Sequence, residues 1–370
     1  MGGMHVVEAL SDARAFDTSG RESFALTAGL QYVVHDPEAE GGVRDGAFKA
    51  ICKLDEMLPR YDGQPLTNER VLVAHIGGMG DGLVLAACLK ALKDRYPDCT
   101  IDVPCPAVHH PLLKLVDADV NIMPYPPPAA ELKHYSYYMS LEDVDRHATD
   151  PAMSNIQIFG SCLRTPEATE AVKLKLPSAL LEEWDIGQAR QPRVGIALTK
   201  SVHMKAYPVD LALKLVQALL KKDVAVLLFG ASNEIGRDLP HAPPMLFNLV
   251  DKTPDIASLA AIFSQLDAVV CPDTMFMHLA GALRLPTLTI FTCTHVSAAG
   301  GYPTVRLATA DVPCRPCGAV AHTCPIGHSA CIVPRHADLA PKRLAEAVMD
   351  LLRTRPTADQ SPLAKMSDSR

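Results

Sequence analysis

From residue 70 onward, apolar runs of strand length alternate with stretches of helical periodicity. Residues 71–76 form an apolar run suited to a strand buried on both faces. Gly77-Gly78-Met79-Gly80-Asp81-Gly82 reads as a turn. Residues 83–95 then place Leu85, Cys88, Leu89 and Leu92 on one helical stripe before Pro97-Asp98 ends it. Strands are predicted at 100–103, 121–123 and 135–141, with a short helix at 112–116. Strand, helix, strand in this order predicts right-handed crossovers on a parallel sheet.

A second series of the same kind opens at Arg193. It predicts strands at 194–198, 224–229, 268–271 and 287–291, with helices at 209–221, from about 233, at 256–266 and at 277–283. Residues 176–192, which hold the single Trp184, read as a linker. An amphipathic helix is predicted at 339–352, followed by a polar tail, 355–370, expected to be disordered. Ahead of residue 67, apolar pieces at 24–26 and 31–34 alternate with Gly-rich and acidic stretches. They predict two or three short strands and a helix near 47–58. The expected organisation is an N-terminal extension (1–66), one α/β domain (67–185), a second (190–354) and the tail. Two doubly wound halves imply a cleft, with ligands at the C-terminal ends of strands.

Composition narrows the function. The chain has 370 residues, 48% of them hydrophobic, which supports a large core and excludes wholesale disorder. With 35 Lys+Arg against 42 Asp+Glu, the net charge of −7 argues against a protein that mainly binds nucleic acid. No apolar run is long enough to cross a bilayer, and residues 1–9 lack the pattern of a secretory signal, so a cytoplasmic protein is expected. Of the 11 cysteines, Cys52, Cys88, Cys99, Cys105, Cys162, Cys271 and Cys293 are scattered and read as small buried thiols. The other four, Cys314, Cys317, Cys324 and Cys331, crowd into one loop, 313–332. Their C-x2-C-x6-C-x6-C spacing can close a tetrahedral thiolate site for structural Zn or Fe, or can be four reduced thiols; His322 and His328 are extra candidate ligands.

Four further places carry chemistry. Gly77, Gly78 and Gly80 let backbone approach a ligand closely. Their spacing fails the G-x-G-x-x-G dinucleotide fingerprint, which disfavours a nicotinamide dehydrogenase. Asp81 at the helix start repels a pyrophosphate there and suits a general base, or else an N-cap. Asp273 and Thr274 can cap the helix that follows residues 268–271, leaving first-turn N–H groups for a phosphate. His278, one turn in, either contacts that anion or is a satisfied buried histidine. Residues 199–205 put Thr199, Lys200, Ser201, His203 and Lys205 after a strand, as in a phosphate loop or a solvated one. Glu234 follows the next strand, where a carboxylate accepts ribose hydroxyls or supports a helix dipole.

In this order the pieces resemble glycosyltransferase family 9, the ADP-heptose:lipopolysaccharide heptosyltransferases, from about residue 70 to 352. Residues 71–92 look like the family's opening strand, its G-x-x-G-D turn and helix. Lys205-Ala206-Tyr207-Pro208 looks like its K-x-W-P element with Tyr207 in place of Trp. Residues 228–234 are similar to its L-x-G-x-x-x-E stretch, residues 273–282 to its D-[ST]-G-x-x-H-x-x-A-A block, and the cysteine loop to that of the second heptosyltransferase. The resemblance implies a GT-B fold, two Rossmann-like domains facing a cleft: an N-terminal acceptor domain and a C-terminal nucleotide-sugar domain. It implies an inverting sugar transfer, no cofactor required for catalysis, and a nucleotide-diphosphate sugar as donor, ADP-heptose first among candidates. Asp81 would be the base; Lys205, with Thr199 nearby, would neutralise the diphosphate; Glu234 would hold the ribose; Asp273, Thr274 and His278 would hold phosphates and sugar.

The acceptor would be a glycolipid of lipopolysaccharide biosynthesis or a protein hydroxyl, met by loops at 107–110 and 147–164. Peripheral association with the inner membrane follows from a glycolipid acceptor. Some protein-heptosylating relatives carry iron on a cysteine loop. The chain departs from the family at Met275, which replaces a glycine and is followed by Phe276, at His75, which replaces an Arg-type residue, and at Phe291-Thr292-Cys293-Thr294-His295-Val296, which replaces F-G-x-T-x-P. Met275 and Phe276 are what favours the alternative, a non-catalytic nucleotide-sugar-binding or interaction protein on the same fold.

Overall fold

The computed structural model describes residues 3–16, 22–74, 77–141, 150, 153–198, 203–230, 239, 241–310, 312–314, 316–317, 324, 327, 331 and 339–354. The expected tail, and the helix expected from about 233, lie outside them. The chain divides into two compact units: Met1–Pro177 with Asp255–Ala260 and Ser297–Tyr302, and Ser178–Pro254 with Ala261–Val296 and Pro303–Arg370.

The first unit opens with strands β1 (Met4–Ala9), β2 (Ala13–Phe16), β3 (Glu22–Leu26), β4 (Gln31–His35) and β5 (Phe48–Lys53), and helix α1 (Asp36–Arg44). Strands β4, β1 and β5 make one antiparallel sheet; β2 and β3 make a hairpin. The helix expected near 47–58 is instead β5 and a 3-10 turn, Leu54–Glu56, while the helix lies earlier. The local chemistry accounts for this. Asp36 and Glu38 sit in the first turn of α1 with Pro37, Arg44 sits in the last, and Gly46 at φ 73° turns the chain out. Gly42 is required because a Cβ there would lie 2.1 Å from the Phe48 ring. Alternate residues of β1 serve two cores. Met4 and Val6 join Leu54, Leu58, Leu72, Ala74 and Tyr138. Val7 and Ala9 join Leu26, Val34 and Ala39. The extension therefore shares a core with the sheet that follows it.

That sheet holds β6 (Arg70–Ala74), β7 (Thr100–Cys105), β8 (Asn121–Pro124) and β9 (Tyr137–Ser140). Its order is β8-β7-β6-β9, all parallel, as the alternation predicts. Helix α2 (Met79–Arg95) starts earlier than expected and takes Met79, Gly80, Asp81 and Gly82 of the glycine turn into its first turn. Helices α3 (His110–Leu113) and α4 (Asn155–Cys162) follow. At the base of the sheet, buried Asp102 accepts from Arg70 Nη2 at 2.6 Å, Tyr135 OH at 2.7 Å and Asn121 Nδ2 at 2.8 Å. This tie holds β6, β7 and β8 in register.

The second unit begins with a short helix, α5 (Ser178–Glu183). It continues with β10 (Arg193–Ala197), α6 (Val209–Leu220), β11 (Ala225–Phe229), β12 (Leu246–Asn248), α7 (Ile256–Phe263, of which residues 256–260 count to the first unit), β13 (Ala268–Pro272), α8 (Met275–Ala282), β14 (Thr287–Phe291), β15 (Val305–Thr309) and α9 (Pro341–Arg353). The six strands run parallel in the order β12-β11-β10-β13-β14-β15. In chain order this is 3-2-1-4-5-6, the Rossmann order, which reverses between β10 and β13. Strands β11, β13 and β14 are buried along their whole length, which is why β11 and β13 are continuous apolar runs, while β14 buries Thr287 and Thr289 among its apolar residues. Helix α9 buries Leu344, Ala345, Val348 and Leu351 on one stripe against the same core.

Candidate functional site

In the first unit the glycine turn leaves β6 and enters α2. Gly78, in extended backbone, is the N-cap, and its N–H donates to Asp81 Oδ2 at 2.9 Å. Asp81 is thus three residues inside the helix and not the cap itself. One oxygen is anchored; among the described residues the other takes no hydrogen bond, and the side chain is half-buried. Gly78 is exposed, Gly77 is half-buried, and Gly80 is buried inside the first turn of α2.

In the second unit three strand ends meet. The loop after β10 carries Lys205 on a 3-10 turn, His203–Lys205. Asp273 follows β13, and Thr294 follows β14. Lys205 Nζ lies 2.9 Å from Asp273 Oδ2, and Thr294 Oγ1 donates to the same oxygen at 2.7 Å. The Asp273 side chain is 7% exposed and that of Lys205 23%. The ion pair spans β10 and β13, where the strand order reverses, the place at which doubly wound sheets bind ligands. Thr274 is the N-cap of α8, but its hydroxyl makes no capping bond and reaches the Pro272 carbonyl at 3.4 Å. First-turn N–H groups of α8 are left without a side-chain cap, directly after the Asp273 that pairs with Lys205. His278 is buried one turn in.

The departures from the family pattern find local explanations. The Phe276 ring stacks on Phe263 at 5.8 Å, which in turn meets Phe229 edge-on at 4.9 Å. Phe276 is core and does not narrow the helix start; Met275, half-buried, is the side chain left there. Tyr207 packs in the core as a Trp would, and its hydroxyl donates to the Leu339 carbonyl at 2.6 Å, fixing the lysine loop to the segment before α9. Thr292 takes the family's glycine position, and its buried hydroxyl donates to the Met204 carbonyl at 2.5 Å. Sequence reasoning named Thr292 and Thr294 only in the stretch set against F-G-x-T-x-P and gave neither a role. The available clue was two hydroxyls placed directly after a fully buried strand.

Thr199, Glu234, His75, His322 and His328 lie outside the described residues. Among the described residues no three His, Cys, Asp or Glu groups gather to hold a metal, so the four-thiolate site expected on Cys314, Cys317, Cys324 and Cys331 is not shown. Cys317 is exposed, Cys314 and Cys324 are half-buried, and Cys331 is buried. Burial, with the nearby Cys293, Cys317 and Cys314 thiols adding to it, pushes the Cys331 thiol up to about 11. Cys293, placed by sequence among the scattered thiols, belongs to this group, and its carbonyl accepts from Cys317 N at 3.1 Å. Cys317 therefore rests on the segment between Thr292 and Thr294. An open depression of about 460 Å³ on the first unit holds none of the expected site residues. Lys90 pairs with Asp94 there and Arg95 with Glu167, so its charges are largely matched within the protein.

Two Rossmann-like α/β domains, each an all-parallel sheet clothed by helices, are the architecture of the GT-B fold. The chain belongs to glycosyltransferase family 9 (heptosyltransferase), whose family model matches residues 138–323, half of the chain. Solved structures share the fold at low identity. A family 9 glycosyl transferase from Veillonella parvula is 11% identical with a TM-score of 0.61, covering 80% of this chain and 100% of its own. The E. coli ADP-heptose lps heptosyltransferase II is 17% identical with a TM-score of 0.58, covering 77% and 98%. The dodecameric iron-containing heptosyltransferase TibC of E. coli, in complex with ADP-D-beta-D-heptose, is 13% identical with a TM-score of 0.58, covering 96% and 92%. At 96% coverage the TibC match takes in most of residues 1–66 as well. None of the curated proteins matches the chain.

Proposed function

We propose that this chain is an inverting glycosyltransferase that moves heptose from ADP-heptose to a hydroxyl of a lipopolysaccharide core or of a protein. The observation that carries this is the Lys205–Asp273 ion pair at the switch point of the second sheet, beside an uncapped helix start. A nucleotide diphosphate needs that combination: a mobile cation and backbone donors at the strand ends. Heptosyltransferase II and TibC, which share the fold, are described with ADP-heptose, which supports the choice of donor.

The chemistry follows from the side chains. Inversion asks for a base at the attacking hydroxyl and charge stabilisation at the departing diphosphate. Asp81 supplies the base: Gly78 N–H fixes one oxygen, and the other is open to take the acceptor proton. The acceptor oxygen attacks the anomeric carbon as its bond to the β-phosphate oxygen breaks. Lys205 and the first-turn N–H groups of α8 meet the charge that develops on that oxygen. Asp273 is the counter-ion of Lys205, Thr274 and His278 complete the α8 side, and Thr199 and Glu234 are assigned the phosphate and the ribose. Exposed Gly78 and half-buried Gly77 allow a ligand close to the backbone. We place the acceptor against residues 107–110 and 153–164, and the enzyme in the cytoplasm, peripheral to the inner membrane when the acceptor is a glycolipid. Among the described residues no helix is long and apolar enough to cross a membrane.

Calorimetry against ADP, GDP, UDP and ADP-heptose, followed by transfer to lipopolysaccharide-core and protein acceptors, tests the proposal. ADP and ADP-heptose are expected to bind, Lys205→Ala is expected to weaken ADP roughly tenfold or more, and ADP release is expected with one acceptor class. Absence of binding by every nucleotide overturns the proposal. Binding without transfer to either class leaves the non-catalytic alternative.

A further inference from the structure

We infer that Thr294 is a positioning residue of the phosphate centre: its hydroxyl restrains the Asp273 carboxylate so that Lys205 is presented to an incoming diphosphate instead of being held back from it. This rests on the function proposed above. Lys205 Nζ and Thr294 Oγ1 reach one and the same oxygen, Asp273 Oδ2, at 2.9 and 2.7 Å. The carboxylate is almost wholly buried, so its charge must be met by protein groups. It also competes with the diphosphate for the lysine. With Thr294 in place the charge is shared between a fixed hydroxyl and the ammonium. Without it, the carboxylate leans on Lys205 alone and is free to rotate toward it.

The same three-residue segment also holds the lysine from behind. Thr292 Oγ1 donates to the carbonyl of Met204, the residue before Lys205, at 2.5 Å. Residues 292–294 thus bracket the lysine, one hydroxyl on the carbonyl of the residue before it and one on its counter-ion. The bracket is itself seated, because the Cys293 carbonyl between the two threonines accepts from Cys317 N. Both threonines emerge from β14, two strands from β10 in the sheet, so the bracket is a product of the strand order.

The test is calorimetry of the full chain with ADP and with inorganic pyrophosphate as a probe of the diphosphate alone. Thr294→Val removes the donor at nearly constant shape. Affinity for both probes is expected to fall roughly tenfold, and Thr294→Ser is expected to restore it to within about twofold. In a Lys205→Ala background, adding Thr294→Val is expected to weaken binding by no more than about twofold, because the threonine acts through the lysine. Unchanged affinity in Thr294→Val overturns the inference and leaves the proposed function standing. So does a loss that Thr294→Ser fails to rescue, or one that persists in full without Lys205, since either marks a merely structural role. Should the unmodified chain bind neither probe, the function proposal and this inference fall together.

Discussion

Replacing Asp81 separates its two roles, because the structure gives each oxygen of the carboxylate a different task. In Asp81→Asn the amide oxygen still accepts from Gly78 N–H, now 2.9 Å from Oδ2. The start of α2 is then preserved while the proton acceptor is lost. A positioned general base contributes about 10²- to 10⁴-fold, equivalent to about 3–5 kcal/mol of barrier. Asp81→Ala loses the same base and the helix-start bond as well, worth about 1 kcal/mol, or about 2–4 °C in Tm for domains of this size. Donor turnover is followed as ADP release with and without acceptor, alongside differential scanning calorimetry and ADP titration. Both variants are expected to lose at least about a hundredfold in turnover, to bind ADP as the parent does, and to differ from one another only in Tm. Asp81→Asn turning over within about threefold of the parent, far short of a lost base, refutes the base assignment. Equal Tm values for the two variants refute the structural half.

Four further outcomes are expected. Asp102→Ala strips the acceptor from buried Tyr135 OH and from Asn121; with Arg70 41% exposed and able to regain water, the loss falls near the low end of that for a broken buried pair, about 3 kcal/mol, read as a lower urea midpoint at unchanged slope. Phe276→Ala opens the aromatic stack on Phe263 and is expected to cost about 3–5 kcal/mol, whereas Met275→Gly, half-buried at the helix start, costs about 1 kcal/mol or less in the same denaturation measurement. Burial raises the Cys331 thiol to about 11 and the Cys88 thiol to about 12, so iodoacetamide at pH 8 alkylates exposed Cys317 long before either. The same thiols stay protonated in the folded chain while the unfolded chain ionises above about pH 9 and binds fewer protons. Stability is expected to fall as pH rises from there through the folded values, by up to about 1.4 kcal/mol per pH unit for each such thiol.

What could be read in the chain follows from where water is excluded. Val71, Leu72, Val73 and Ala74 are all fully buried, so β6 writes itself as an apolar run, and the same holds for β11 and β13. Strand β15 lies at an edge of its sheet with Arg306 and Leu307 exposed, and β12 is three residues long; neither leaves a pattern. In the extension the glycines at 41 and 42 argue against a helix on propensity, yet α1 forms because Phe48 needs the space that Gly42 leaves. Asp81, Lys205 and Asp273 are legible by residue type at strand ends. Thr294 is not, since nothing in a separation of 21 residues tells that its hydroxyl meets Asp273. That meeting is created by β13 and β14 lying side by side. The cysteine spacing was legible as a cluster, but the participation of Cys293 is again a consequence of tertiary contact.

A carboxylate in the middle of a phosphate site looks self-defeating, and on the proposed function it is the more informative feature. Lys205 without Asp273 is a standing positive charge that attracts donor and departing ADP equally, which strengthens binding without accelerating the chemical step. Paired as they are, Lys205 and Asp273 begin as an ion pair of no net charge, the ammonium 2.9 Å from the carboxylate oxygen. As the glycosidic bond breaks, negative charge grows on the β-phosphate oxygen, and the ammonium is drawn from the carboxylate toward it. The attraction is then largest where the charge is largest, in the transition state. Thr294 becomes necessary on this account, because a carboxylate about to lose part of its cation needs a donor that does not move. Asp273→Asn should accordingly tighten ADP binding while lowering turnover. That opposite movement of two constants is one that simple loss of a structural contact does not produce.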